Sequence, residues 1–176
     1  MNNIAIIKDS DIGYDGSKLD NPKIRYASRG IVIKDDKIAI LNKANKNEYK
    51  LPGGGIEEKE TPEDAFHREV FEETGCEVEI TNCLGIIEEH KTLANFKHIS
   101  YVFIGKVTKD TNECHFTEKE SDEGANILWT TPDEGLKLIT SCFDKIIGSK
   151  HEDVYQTKFI VFRDKTILEY YLKKNR

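Results

Sequence analysis

At 176 residues the chain is long enough for one domain with a sizeable buried core. A third of its residues are charged and its formal net charge is −6, which argues against a nucleic-acid binder, since those are usually basic. No segment is apolar for long enough to span a membrane, and Met1 to Asn21 holds only one short apolar run, Ile4 to Ile7. No signal peptide is therefore expected, and the expected compartment is the cytoplasm.

In chain order, residues 10–22 read as a polar loop after a possible short strand, so that 1–22 forms an N-terminal extension. Tyr26 to Lys34 and Lys37 to Lys43 read as two strands joined by a tight turn at Asp35-Asp36. Leu51-Pro52-Gly53-Gly54-Gly55 should break regular structure. Thr61 is a good N-cap, Pro62 suits the first helical position, and Glu63 and Asp64 favour the positive helix end. That helix should run to about Thr74 and close at Gly75. Cys76 to His90 and Lys97 to Val107 read as long strands, 108–124 as a polar loop, and Ala125 to Thr130 as another strand. A short helix is expected from Pro132 to Ile139 and a final one from Glu152 to Lys174. Strands, one helix, more strands, then helices suggest an α+β fold with a mixed sheet covered by helices.

The four cysteines form no CxxC pair, so structural thiols are expected and zinc or disulfides are not. Between Glu57 and Glu73 there are eight acids against two bases, and their spacing is more telling than their number. Glu69, Glu72 and Glu73 stand at i, i+3 and i+4 of the predicted helix and share one face. Crowded carboxylates repel unless something compensates them. A hard divalent cation with a preference for oxygen is the usual compensation, and it argues for phosphate chemistry. The three glycines before the helix lack the lysine of a P-loop. They suit a sharp bend that presents carbonyls to a cation.

Read from Gly54, the pattern is Gly54, five residues, Glu60, seven residues, then Arg68-Glu69-Val70-Phe71-Glu72-Glu73-Thr74-Gly75-Cys76. It resembles the Nudix box, GX5EX7REUXEEXGU, at every fixed position over 54–76, with Cys76 as a small last apolar residue. The resemblance implies the Nudix fold, an α/β/α sandwich around a central mixed β-sheet, in a single domain spanning 1–176. It also implies a Mg²⁺- or Mn²⁺-dependent hydrolase that splits the diphosphate link of a nucleoside diphosphate derivative. By similarity, Glu69, Glu72 and Glu73 are metal ligands, with the Gly54 carbonyl as another. Arg68 and Glu60 resemble the pair that holds the loop against the helix.

In this family the general base is a box glutamate or a glutamate on a distant loop. Glu118, Glu120 and Glu123 stand in such a loop, and Glu120 is the candidate taken forward; Glu88 and Glu89 are weaker ones. Arg25, Arg29 and Lys43, on or beside the early strands, are candidates to meet phosphates, with Arg29 and Lys43 preferred. Tyr49, His98, Tyr101 and Trp129 could stack on a base, although core packing suits them better.

The proline of ADP-ribose hydrolases, the tyrosine of dinucleoside polyphosphate hydrolases and the SQPWPFPxS array of NADH hydrolases are absent. The remaining substrates are (d)NTPs, oxidised ones included, and nucleotide sugars. A nucleotide-sensing domain without turnover is one alternative, which the intact glutamates disfavour. RNA 5′-end hydrolysis is another, but the seven bases against four acids from Lys150 onward are better explained by a packed amphipathic helix. The expected partner is a small-molecule nucleotide, with neither membrane nor nucleic acid; a homodimer is compatible with the family.

Overall fold

The computed structural model describes residues 1–146 and 154–175. Eight strands form one mixed sheet: β1 (Asn3–Lys8), β2 (Lys23–Lys34), β3 (Lys37–Lys43), β4 (Glu48–Lys50), β5 (Gly53–Gly55), β6 (Cys76–Lys91), β7 (Phe96–Asp110) and β8 (Ala125–Thr130). The order runs β1-β6-β7-β2-β3-β4, with β5 added to β2 and β8 to β3. β1/β6 and β2/β7 are parallel, and the remaining pairs are antiparallel. Among the described residues four α-helices complete the fold: α1 (Pro62–Thr74), α2 (Glu118–Asp122), α3 (Pro132–Lys145) and α4 (Val154–Lys174).

The two faces of the sheet can be read from the period of two in its strands. In β3, Ile38 and Ile40 join a large apolar cluster with Ile139 of α3 and Phe159 and Ile167 of α4, whereas the intervening Ala39 joins Phe66 and Val70 of α1. α1 therefore covers one face, and α3 with α4 covers the other. Covered on both sides, β2 reads as an unbroken buried run from Ala27 to Val32. Fully burying Phe66 and Val70 contributes about 1.5–3 kcal/mol each.

α1 begins and ends as its residues dictate. Thr61 Oγ1 accepts from the Asp64 N–H at 3.1 Å and the Asp64 carboxylate accepts from the Thr61 N–H at 3.3 Å, a reciprocal cap. Gly75 closes the helix at φ +69°, in the left-handed region.

Within residues 1–22 the possible short strand is present as β1, which forms the sheet edge, and the buried Asp9 accepts from the Thr92 N–H and hydroxyl and from Tyr155 of α4. Three expectations are corrected. The glycine run is not irregular, since Gly53–Gly55 pairs with Arg29, Ser28 and Ala27 of β2. The 108–124 loop contains α2, capped by Thr117 and Glu120. α3 continues past Ile139 because the buried Cys142 extends its apolar stripe three residues on. Of the expected final helix, residues 154–174 are observed and 152–153 lie outside the described residues. Among the described residues no helix is long and apolar enough to cross a membrane.

Candidate active site

The last turns of α1 face the glycine strand β5, and Arg68 ties the two together. Its Nε and Nη2 make a two-pronged bond to Glu60 at 2.7 and 2.9 Å, and Nη2 also donates to the Gly55 carbonyl at 3.0 Å. Its Nη1 reaches Glu69 at 2.8 Å and Glu72 at 3.3 Å. Two of the three box glutamates thus converge on one guanidinium nitrogen, and Glu60 first, then Glu69, hold the Arg68 charge above its ordinary range against the cost of burial.

Glu69 lies against Gly54, where a Cβ would come within 2.3 Å of its carboxylate, so the absence of a side chain makes room for that carboxylate. Glu72 is half-exposed, at 44% of its side-chain surface. Glu73 is buried and turned toward the loop: it accepts from the Gly53 N–H at 2.7 Å and pairs with Lys50 at 3.2 Å. Burial raises the Glu73 carboxyl above its ordinary range, opposed by Lys50 and the Gly53 N–H. The charges of Glu69 and Glu120 push it the same way as burial. Among the described residues no three acidic, imidazole or thiol side chains stand close enough to grip one ion, because Arg68 and Lys50 draw the glutamates to different cations. The donors are nonetheless hard oxygens that already repel one another around the bare Gly54, which is the chemistry a divalent cation neutralises.

Beyond β5, between the sheet and α4, opens a cleft of about 420 Å³. Both preferred phosphate candidates line it. Arg29 is only 4% exposed; its Nε donates to Ser100 Oγ at 3.1 Å. Burial first, and the nearby Arg163 second, push Arg29 down to about 10. Lys43 also faces the cleft but is committed to Glu123 at 2.6 Å, which Lys46 joins at 2.8 Å. Arg25 and His98 line the same space. Of the other aromatic candidates, Tyr49 packs on the α3–α4 side of the core, and Tyr101 and Trp129 on the α1 side. Glu120 accepts the Thr117 N–H and hydroxyl as a helix cap, while its charge acts on Glu73 and Lys50.

Burial alone would raise Glu123, but Lys43 and Lys46 hold it at about 2. A carboxyl held below its unfolded value of about 4.3 stabilises the fold fully above that pH, and the gain fades toward the folded value. Glu123→Gln should therefore melt below the native chain at pH 7, with the gap closing between about pH 4.3 and 2. Thermal melts of both proteins across that range check this; a gap independent of pH would rule out the charge as its source.

Sequence reasoning missed the polar interior beneath the cleft. Glu89, fully buried, pairs with Arg163 of α4 at 3.2 Å, Lys91 at 3.2 Å and His98 Nδ1 at 3.1 Å. Burial opposes the Glu89 charge, but Arg163, His98 and Lys91 outweigh it and hold the carboxyl well below its ordinary range. Burial also drives His98 down to about 4, so the ring is neutral at pH 7, donates from Nδ1 to Glu89, and leaves Nε2 buried without a hydrogen-bond partner among the described residues. Arg163 donates from Nε to Asp164 at 2.8 Å, and Asp164 accepts the Leu51 N–H at 3.0 Å, which anchors the segment entering the glycine strand. The one available signal was an Arg-Asp pair inside an otherwise amphipathic helix.

A family model described as "NUDIX domain" matches residues 25–146. A MutT-like protein of Streptomyces ambofaciens is 31% identical over 60% of this chain and 62% of its own length. Diphosphoinositol polyphosphate phosphohydrolase 3-alpha of Mus musculus is 33% identical over 60% of each. The alignments thus span about 60% of the length of these curated relatives. Among solved structures, a NUDIX hydrolase from Nitrosomonas europaea superposes with TM-score 0.59 at 20% identity, covering 88% of this chain and 92% of that one. The E. coli ORF135 protein superposes with TM-score 0.54 at 17% identity, covering 90% and 96%. The fold is shared with both structures, and with its family match over more than half its length the chain belongs to the NUDIX domain family.

Proposed function

We propose that the chain is a divalent-metal-dependent hydrolase that cleaves the diphosphate link of a nucleoside diphosphate derivative. The proposed substrates are a (d)NTP, an oxidised one included, or a nucleotide sugar; the mouse relative's name adds diphosphoinositol polyphosphates. The carrying observation is the apposition of Glu69 to Gly54, with Glu72 on the same Arg68 nitrogen and Glu73 one turn from Glu69. Glu69, Glu72, Glu73 and the Gly54 carbonyl would hold Mg²⁺ or Mn²⁺. When bound, the ion would neutralise phosphate oxygens and lower the pKa of a coordinated water. The chain's own part is to fix the carboxylates: Arg68 orients Glu69 and Glu72, and the Gly53 N–H with Lys50 orients Glu73. Glu120 is the proposed base.

The test is phosphate and pyrophosphate release from a panel of nucleoside triphosphates, nucleotide sugars, a diphosphoinositol polyphosphate and capped RNA, with Mg²⁺, Mn²⁺ or chelator. Release that requires the metal supports the reading. Binding without turnover on every member would favour a sensor. A finer probe is Gly54→Ala. Its φ is not in the left-handed region, so the backbone accepts alanine, but the new Cβ displaces the Glu69 carboxylate. A misplacement on the order of 1 Å costs about 100-fold in rate. That loss, with a melting temperature close to the native one, is the expected result.

A further inference from the structure

The cleft beside β5 holds six cationic side chains against one lining acid, Glu48, but most of its charge is already spent. Lys43 is matched by Glu123, Lys50 by Glu73, Lys91 by Glu89, and Arg163 by Glu89 and Asp164. Arg25 and Arg29 are different: among the described residues neither has a carboxylate within ion-pair distance. For Arg25, exposed to solvent, this is unremarked chemistry. For Arg29, 96% removed from solvent, Asp164, Glu89 and Glu73 compensate the charge only from a distance, and burial with the nearby Arg163 outweighs them. Among the described residues only its Nε has a hydrogen-bond partner, Ser100, which leaves the other guanidinium N–H groups of this cleft-lining side chain for whatever occupies the cleft.

The glycine strand connects these arginines to the box. A Cβ on Gly54 would strike Glu69, one on Gly55 would come within 2.6 Å of Arg25 Nη2, and one on Gly53 within 2.4 Å of Arg29 Cβ. Glu69 thus lies against one face of β5 and both arginines against the other. β5 has no strand partner other than β2 among the described residues, and its Gly53 N–H and Gly55 carbonyl are taken by the side chains of Glu73 and Arg68. The strand between the two groups is three residues without side chains, so no side chain of β5 itself stands between Glu69 and the arginines.

We propose that Arg25 and Arg29 form a subsite for a phosphoryl group beyond the two joined by the scissile bond, so that the substrate carries at least three phosphoryl groups. Guanidinium is the matching donor, planar and permanently charged, and it binds phosphate through paired N–H bonds. The inference rests on the diphosphatase reading and narrows it: nucleoside triphosphates and diphosphoinositol polyphosphates fit, and nucleotide sugars, with no third phosphoryl, do not.

Two measurements on the full chain separate this inference from that reading. The first is calorimetric binding of inorganic tripolyphosphate in chelator, where no turnover occurs. Loss of charged hydrogen bonds should weaken binding about 10–100-fold in Arg29→Gln and in the more exposed Arg25→Gln, and Arg29→Lys should recover part of it. Native-like binding by both arginine variants, with native circular dichroism, would overturn the subsite, as would no binding by the native chain. The second is kcat/KM with Mg²⁺ for UTP, a diphosphoinositol polyphosphate and UDP-glucose. Preference for either of the first two, lost in Arg25→Gln, supports the proposal and identifies the source of the third phosphoryl. Equal or better use of UDP-glucose overturns it while the diphosphatase reading stands. Absence of all turnover removes that reading but leaves the binding result to decide the subsite.

Discussion

Glu72→Gln should lower metal-dependent diphosphate hydrolysis by about 100–1,000-fold, the scale of losing one group that stabilises transition-state charge. The structure makes Glu72 the cleanest of the three box glutamates to test. Its side chain is 44% exposed, and among the described residues its one hydrogen-bond partner is an Arg68 nitrogen at 3.3 Å that Glu69 also holds. Glutamine keeps the volume and removes the charge, so stability should stay within about 0.5 kcal/mol of the native value. The same change at Glu73 would be ambiguous, because it leaves Lys50 without its buried partner and weakens the hold on the Gly53 N–H. Turnover measured with saturating Mg²⁺, beside a urea denaturation curve, separates chemistry from folding. Native turnover in a folded Glu72→Gln protein would end the ligand assignment.

The largest effect on stability is expected far from the box. Arg163→Met should cost about 3–5 kcal/mol, the scale of breaking a buried ion pair from one side. For a chain of this size that corresponds to a melting temperature lower by roughly 10 °C. Burial works against the Arg163 charge, but Asp164 and Glu89 outweigh it and raise the guanidinium above its ordinary range. Removing the guanidinium leaves two carboxylates, each fully buried, with less to balance them. Glu89 would retain Lys91 and His98, and Asp164 would retain the Leu51 N–H. A triple variant that also carries Glu89→Gln and Asp164→Asn should recover part of the loss. Urea unfolding of the three proteins measures it; a cost under about 1 kcal/mol for Arg163→Met would mean that water reaches the pair and screens it.

These two residues also mark what could and could not be read from the chain. Glu72 was legible because its chemistry is local. A capped helix start at Thr61, carboxylates at i, i+3 and i+4, and a closing Gly75 all fall within one element, and helix geometry fixes their mutual placement. The α+β class and the long strands were legible from period and order. The strand at Gly53–Gly55 was not, because glycine carries no strand preference and pairs here only because β2 offers it an edge. The cleft floor was hidden for a different reason. Arg25, His98 and Glu89 form one row across β2, β7 and β6, and that row exists only once two strand registers are set. Arg163 reaches Glu89 across 74 positions of sequence. In a linear reading, Glu89 was a weak candidate at a strand end and Arg163 one base among several on a helix.

α4 lies wholly outside residues 25–146, the stretch that matches the family, yet its Gln156, Ile160 and Arg163 line the cleft. The glutamate box and one wall of the cleft beside it therefore come from different stretches of the chain, of which only the first lies within the family match. A lineage could replace the outer face of that helix and change which compounds enter, while every carboxylate of the box stayed in place. The exchange has one tether. Asp164 holds the backbone N–H of Leu51 at the entrance to the glycine strand, so a grafted helix lacking the Arg163-Asp164 pair would disturb the box from behind. Chimaeras that swap α4 should accordingly divide into two kinds: those that keep the pair and acquire a new selectivity, and those that drop it and lose activity on every compound.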